Sequence, residues 1–182
     1  LEVLLVAIKS EIVEKQIFLH AEPASAVEAG FRMQSDAHWD NGQCYHVADA
    51  GGIGQGVLFK FHRAQKQVYE FHFGGKPGSR DYENQITEAW FRFARLAKRR
   101  TIHIPNDPRL LQQLTSRKYF TDDKSGKLYV EPKEDYRDRG LESPDRADCI
   151  VMAFYDRLQA SGQIAARPQG DHRIGDSTRR RL

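Results

Sequence analysis

The chain has 182 residues, 40% hydrophobic and 29% charged, with a net charge of +3. That is enough for one domain with a sizeable core, and the composition is ordinary for a globular protein. No run approaches the ~20 apolar residues of a membrane-spanning helix, and Val3 to Ile8 is too short for a signal peptide and lacks a basic leader. Cys44 and Cys149 lie in apolar runs without metal-type spacing, which points to core thiols in a reducing compartment and away from a disulfide.

The elements follow in order. Leu1 to Ile8 and Ile12 to Leu19 read as two strands joined by Lys9-Ser10-Glu11, a hairpin. Pro23 to about Gln34 has helical apolar spacing, and Asp36 to Gly42 is a polar loop. Cys44 to Asp49 is a strand, Gly54 to Ala64 a helix, and Val68 to Phe73 another strand. Gly74 to Arg80, with three glycines and a proline, is a flexible loop. Asp81 to Arg99 is the longest helical pattern, with Ile86, Ala89, Trp90, Phe93, Leu96 and Ala97 in one stripe that reads as core. Ile102 to Ile104 is a short strand, and Asp107 caps a helix that runs to about Arg117. Tyr119 to Thr121 and Leu128 to Val130 form a hairpin around a polar turn. Glu134 to Arg139 is a loop or helical turn, and a last helix runs from Ser143 to about Ala160. Residues 161–182 are rich in Gly, Pro and Arg, and are expected to be a disordered basic tail after a domain of residues 1–160.

Two stretches carry chemistry. Cys44 to Asp49 ends in an acid and runs into Ala50-Gly51-Gly52-Ile53-Gly54-Gln55-Gly56, where glycines allow a sharp turn from strand to helix. Open α/β sheets place ligands at such strand ends. The spacing is not G-x-G-x-x-G, and no Gly-Lys-Ser/Thr makes it a phosphate loop. The second stretch is Ser143-Pro144-Asp145-Arg146-Ala147-Asp148, with Ser143 as N-cap and Pro144 at the first helical position. Asp145 and Asp148 share a helix face, and Val151 and Tyr155, which follow on the Asp148 side, turn it toward packed structure. An acid there needs a cation or an unusual pKa. The plainer alternative is complementation of the helix dipole, strongest for Asp145.

Charge is uneven. The tail carries five Arg and two Asp, and the body is neutral. Residues 92–118 hold eight Lys/Arg against one acid, so Arg92, Arg95, Lys98, Arg99, Arg100, Arg117 and Lys118 are candidate phosphate contacts, or else a solvated face. Lys133 and Arg146 lie close in sequence to the acids and are placed to balance them or to touch phosphate. His46 alternates to the face opposite Asp49 and is a poor co-ligand.

The two acidic stretches resemble the nuclease domain of tailed-phage terminase large subunits. Three more pieces agree in order. Asn84, Glu88 and Trp90 match an Asn-x-x-x-Glu-x-Trp helix. Ile102 to Pro105 with Leu110 to Leu114 resembles a short strand and its helix. Lys127 to Lys133 resembles the segment before the closing Ser-Pro-Asp-x-x-Asp motif. The resemblance spans about residues 1–158 and implies a ribonuclease H-like mixed sheet flanked by helices. It also implies endonucleolytic cutting of concatemeric double-stranded DNA with two Mg²⁺ or Mn²⁺ ions, held by Asp49 and Asp148 with Asp145 as a further contributor. Implied partners are double-stranded DNA, a terminase ATPase domain, a small terminase subunit and a portal, in the cytoplasm of a bacterial host. Beside that family the chain starts at what resembles the second strand, without the first strand and its acid. It is therefore expected to be a fragment, or the product of a gene that has lost its start, and to hold metal weakly and cut poorly. A degenerate domain that binds DNA or a partner without cutting is the alternative, and a junction resolvase is a third reading.

Overall fold

A computed structural model describes residues 2–9, 12–19, 27–28, 31–32, 46–52, 54–66, 68–102, 104 and 106–160, with 2–9, 12–19 and 156–160 as backbone only. β1 (Glu2–Lys9) and β2 (Ile12–Leu19) pair antiparallel, with Glu2 opposite Leu19 and Lys9 opposite Ile12. Val27, Glu28, Phe31 and Arg32 are helical, within the span where a helix is expected. β3 (His46–Asp49) and β4 (Val68–Phe71) run parallel, which requires a crossover, and α1 (Gly54–Arg63) supplies it. Leu58 and Phe61 are its buried residues.

α2 (Gln85–Lys98) begins where a side chain can satisfy its first amides. Asn84 Oδ1 accepts from Thr87 N at 3.0 Å and from Thr87 Oγ1 at 2.7 Å. Thr87 Oγ1 also accepts from Val130 N at 3.1 Å, which ties the far hairpin to this helix. α3 (Pro108–Ser116) starts in the same way, with Asp107 Oδ1 accepting from Arg109 N and Leu110 N and proline at the first position. β5 (Tyr119–Thr121) and β6 (Leu128–Val130) form the expected antiparallel hairpin. Its turn is held by Asp122 Oδ1, which accepts from Lys124 N, Ser125 N and Ser125 Oγ. α4 (Lys133–Asp138) is a short helix, and α5 (Asp145–Ala160) closes the described chain.

The core forms where α2 and α3 pack on α5, which also lies against β1 and β3. Phe71, Leu110, Ala147, Ile150 and Val151 are fully buried there, with Trp90, Phe93 and Phe154 around them. Each large apolar side chain so buried contributes roughly 1.5–3 kcal/mol. Among the described residues the strands form three separate two-stranded ladders, with no hydrogen-bonded continuous sheet. Three expectations shift. Ile102 and Ile104 are not in a strand; both pack against the core, and His103 lies outside the described residues. β4 stops at Phe71, because His72 O and Gly75 N close a turn at 2.8 Å. The long helix opens at Gln85 and not at Asp81, because Asn84 caps it there; the segment after Pro132 takes the helical one of its two expected forms, with Tyr136 N donating to Pro132 O at 3.0 Å. The tail, residues 161–182, lies outside the described residues.

One element makes stability depend on pH. His46 packs against the rings of Phe31 and Phe61, with centroids 5.9 and 4.6 Å away. Burial, with the nearby Lys66 charge adding to it, pushes its pKa down to about 4. The unfolded chain takes up that proton near pH 6.5 and the folded chain only near pH 4. The stabilisation is therefore complete above pH 6.5 and is lost as pH falls toward 4, by up to about 3 kcal/mol. Urea unfolding at pH 7, 6, 5 and 4 is expected to show this loss. His46→Phe is expected to flatten that part of the profile; an unchanged slope in the variant would assign the loss to other groups.

Candidate active site

β3 and β4 are parallel, so their carboxyl ends share one edge. Asp49 is the last residue of β3, in register with Phe71 at the end of β4. Ala50 N then donates to Phe71 O at 2.8 Å, which draws the chain past the strand end. Gly51 N donates to Asp49 Oδ1 at 2.9 Å, and Gly52 turns at φ +50°. Gly54 opens α1 so close to Asp49 that a β-carbon would overlap the Asp49 carbonyl oxygen. Glycine is needed there because a helix starts against the strand it follows.

The second acid is reached through aromatic rings. Phe71 packs edge-on against Tyr155 of α5 at 5.5 Å and against Phe73 at 5.6 Å. The Lys133 ammonium sits over the Phe73 ring at 5.1 Å. It lies 2.8 Å from Asp145 Oδ1 and 3.1 Å from Asp148 Oδ2. Asp49, Phe71, Phe73, Lys133 and the two acids of α5 are thus linked by neighbouring contacts at one end of the sheet.

The first turn of α5 is fixed from several sides. Asp148 N donates to Pro144 O at 2.9 Å, so the helix starts one residue later than expected. Ser143 is not its cap; its hydroxyl donates to Asp145 Oδ1 at 2.9 Å. Gln113 of α3 donates to Ser143 O and accepts from Ala147 N. Arg146 pairs with Asp107 at 3.1 Å.

Asp148 is 2% exposed, as its helical position predicts. Oδ1 accepts from Trp90 Nε1 at 2.9 Å and from an Arg117 terminal nitrogen at 3.0 Å. Oδ2 is buried, has no hydrogen-bond partner, and faces only the Lys133 ammonium. Burial alone would lower the Lys133 pKa, but the charge of Asp148, the hydrogen bond and charge of Asp145 and the contact with Asp148 Oδ2 outweigh it and raise the pKa. Burial likewise opposes the Asp145 charge, and the Lys133 bond and charge, aided by Ser143, outweigh it and lower the pKa. The Asp145 contribution to stability is therefore present above the ordinary carboxylate range and is lost as pH falls through its lowered value. The Lys133 contribution is present below 10.5 and is lost as pH rises through the raised value.

Asp145 and Asp148 offer anionic oxygens on one helical turn, the donor type that suits a hard cation, and in this structure the Lys133 ammonium meets both. Among the described residues, no three His, Cys, Asp or Glu side chains converge as a metal cluster.

Two candidate phosphate contacts are corrected. Arg92 bonds Glu88 at 2.6 Å and stacks on the Tyr155 ring at 4.7 Å, with its side chain 11% exposed. Arg117 is 4% exposed and is held by Asp148 and by Glu131 O. Both point inward because buried acids need them there. Arg95, Lys98, Arg99, Arg100 and Lys118 remain exposed, Arg95 also donating to Tyr82 OH. The sequence reading missed Trp90 as a partner of Asp148. The signal was a Trp in a core stripe, since a buried indole N–H requires an acceptor.

Among the described residues no helix is long and apolar enough to cross a membrane. No protein-family model matches the chain, and no curated protein matches it. Among solved structures it is similar to the nuclease domain of the large terminase subunit gp2 of bacterial virus Sf6. In a lysine-to-alanine mutant with manganese, the identity is 15%, the TM-score 0.65, and the match covers 81% of this chain and 80% of that one. It is also similar to the large terminase nuclease of thermophilic phage G20c with bound magnesium, at 16% identity and a TM-score of 0.61, over 86% and 74% of the two chains. The chain therefore has the ribonuclease H-like fold of the nuclease domain of terminase large subunits.

Proposed function

We propose that the chain is the metal-dependent endonuclease domain of a viral DNA-packaging terminase, cutting concatemeric double-stranded DNA by phosphodiester hydrolysis. The observation that carries this is the buried Asp148 carboxylate, whose Oδ2 has the Lys133 ammonium as its one charged neighbour, in a fold whose β3 ends in Asp49. Asp49 and Asp148 would hold the two ions, with Asp145 contributing from the same helical turn. Bound divalent cations supply activation of the attacking water and stabilisation of the leaving oxygen. The chain contributes the orientation of Asp148, the screening of Asp145 by Lys133, and phosphate contacts from Arg95, Lys98, Arg99, Arg100 and Lys118. The natural setting would be the bacterial cytoplasm, beside a terminase ATPase domain, a small terminase subunit and a portal.

One observation favours a second reading. Lys133 already neutralises both acids of α5, as in a domain that binds DNA or a packaging partner without cutting. Plasmid cleavage in Mn²⁺ separates the two. Cleavage by the chain, lowered at least about a hundredfold in Asp49→Ala at unchanged melting temperature, supports the nuclease. DNA retardation with no cleavage supports the binding module. Cleavage that survives Asp49→Ala would overturn the assignment of Asp49.

A further inference from the structure

The two oxygens of Asp148 have different surroundings. Oδ1 accepts two hydrogen bonds, from Trp90 Nε1 and from Arg117, while Oδ2 is buried and accepts none. A carboxylate oxygen offers two lone-pair positions, so Oδ1 is filled. Both donors are themselves held. Arg117 uses its Nε–H on Glu131 O at 2.9 Å, and its guanidinium lies 5.3 Å from the Trp90 ring centroid. Trp90 is fixed in the core on α2. Rotation of the Asp148 carboxylate, 2% exposed, would break both bonds.

We infer that Trp90 and Arg117 are positioning residues of the proposed site: they saturate Oδ1 and leave Oδ2 as the single oxygen of Asp148 that meets a cation. This rests on the reading of Asp148 as a metal ligand. Trp90 is the cleaner probe, because it is neutral. Arg117 adds a charge that itself opposes a nearby cation. Hydrogen-bond partners behind metal ligands typically change metal affinity 10- to 100-fold when removed.

The test uses the full chain. Its first readout is the Trp90 indole N–H resonance, identified by its absence in Trp90→Phe and followed during Mg²⁺ titration. Its second is thermal stabilisation by Mn²⁺. The indole signal of the wild type is expected to move with the same midpoint as thermal stabilisation by Mg²⁺, and Trp90→Phe is expected to need about ten times more Mn²⁺ for half the stabilisation. A purely structural role would lower the melting temperature of the metal-free variant and leave the Mn²⁺ midpoint unchanged; that result overturns the inference. If Trp90→Phe does not fold, the wild-type signal decides: an indole resonance that stays still while Mg²⁺ stabilises the protein also overturns it. A wild type that neither cation stabilises marks failure of the metal-ligand reading of Asp148 itself, and the inference falls with it.

Discussion

Asp148→Ala is expected to cost about 3–5 kcal/mol of stability, because it removes one partner from a buried ionic cluster and leaves the others charged. The Arg117 guanidinium is 4% exposed, and Asp148 is its only ion-pair partner among the described residues. The Trp90 N–H loses its acceptor, and Lys133 keeps only Asp145. Domains of this size are stable by about 5–15 kcal/mol, so such a loss consumes a large share of the total. Asp148→Asn is expected to cost less, since an amide oxygen still accepts from Trp90. Urea unfolding of the three proteins checks the order. An Ala variant within 1 kcal/mol of wild type would mean that Arg117 and Lys133 re-pair elsewhere. The Asn variant is also the informative one for cleavage: it retains the packing and removes the charge a cation needs, so lost activity there cannot be assigned to unfolding.

The second large effect is expected at Glu88, 1% exposed in the first turn of α2. Its Oε1 takes Arg92 at 2.6 Å. Its Oε2 takes Gly78 N at 2.6 Å and Tyr155 OH at 3.1 Å. One carboxylate thus joins α2, the loop after β4 and α5. Glu88→Ala leaves Arg92 buried against the Tyr155 ring, with a terminal nitrogen that already lacks a partner. A loss of about 3–5 kcal/mol follows, or roughly 6–20 °C in melting temperature for a domain this long. A double-mutant cycle with Arg92→Met isolates the pair. The double variant is expected to be more stable than Glu88→Ala alone, because it removes the unpaired charge. Additive losses within about 0.5 kcal/mol would show that the pair is not coupled.

The two acids differ in how far they could be read in advance. The place of Asp49 at a strand end was legible because its signal is local: a short strand-like run, an acid at its end, then glycines. The packing of Asp148 was legible too, because Val151 and Tyr155 follow on its side of the helix. Its partners were not. Trp90 lies 58 residues away and Arg117 lies 31 away, and no spacing rule connects such positions. Read along the chain, Arg92 and Arg117 belonged to a basic block open to phosphate. In the fold, one is turned into the α2–α5 interface and the other under the acid.

What the sequence determined by itself is the local structure. The cap at Asp107, the hairpin turn at Asp122–Ser125 and the amphipathic stripe of α2 each depend on interactions a few residues long. Small errors fell where two local rules compete, at Ser143 beside Pro144 and at Ile102 to Ile104, where an apolar run packs without pairing. The tertiary structure decided which charge meets which. A buried carboxylate is stable only beside a cation or a donor, and which one arrives is set by how α2, α3 and α4 pack against α5. That packing gave one oxygen of Asp148 to Trp90 and Arg117 and the other to the Lys133 ammonium, the asymmetry on which the proposed site depends.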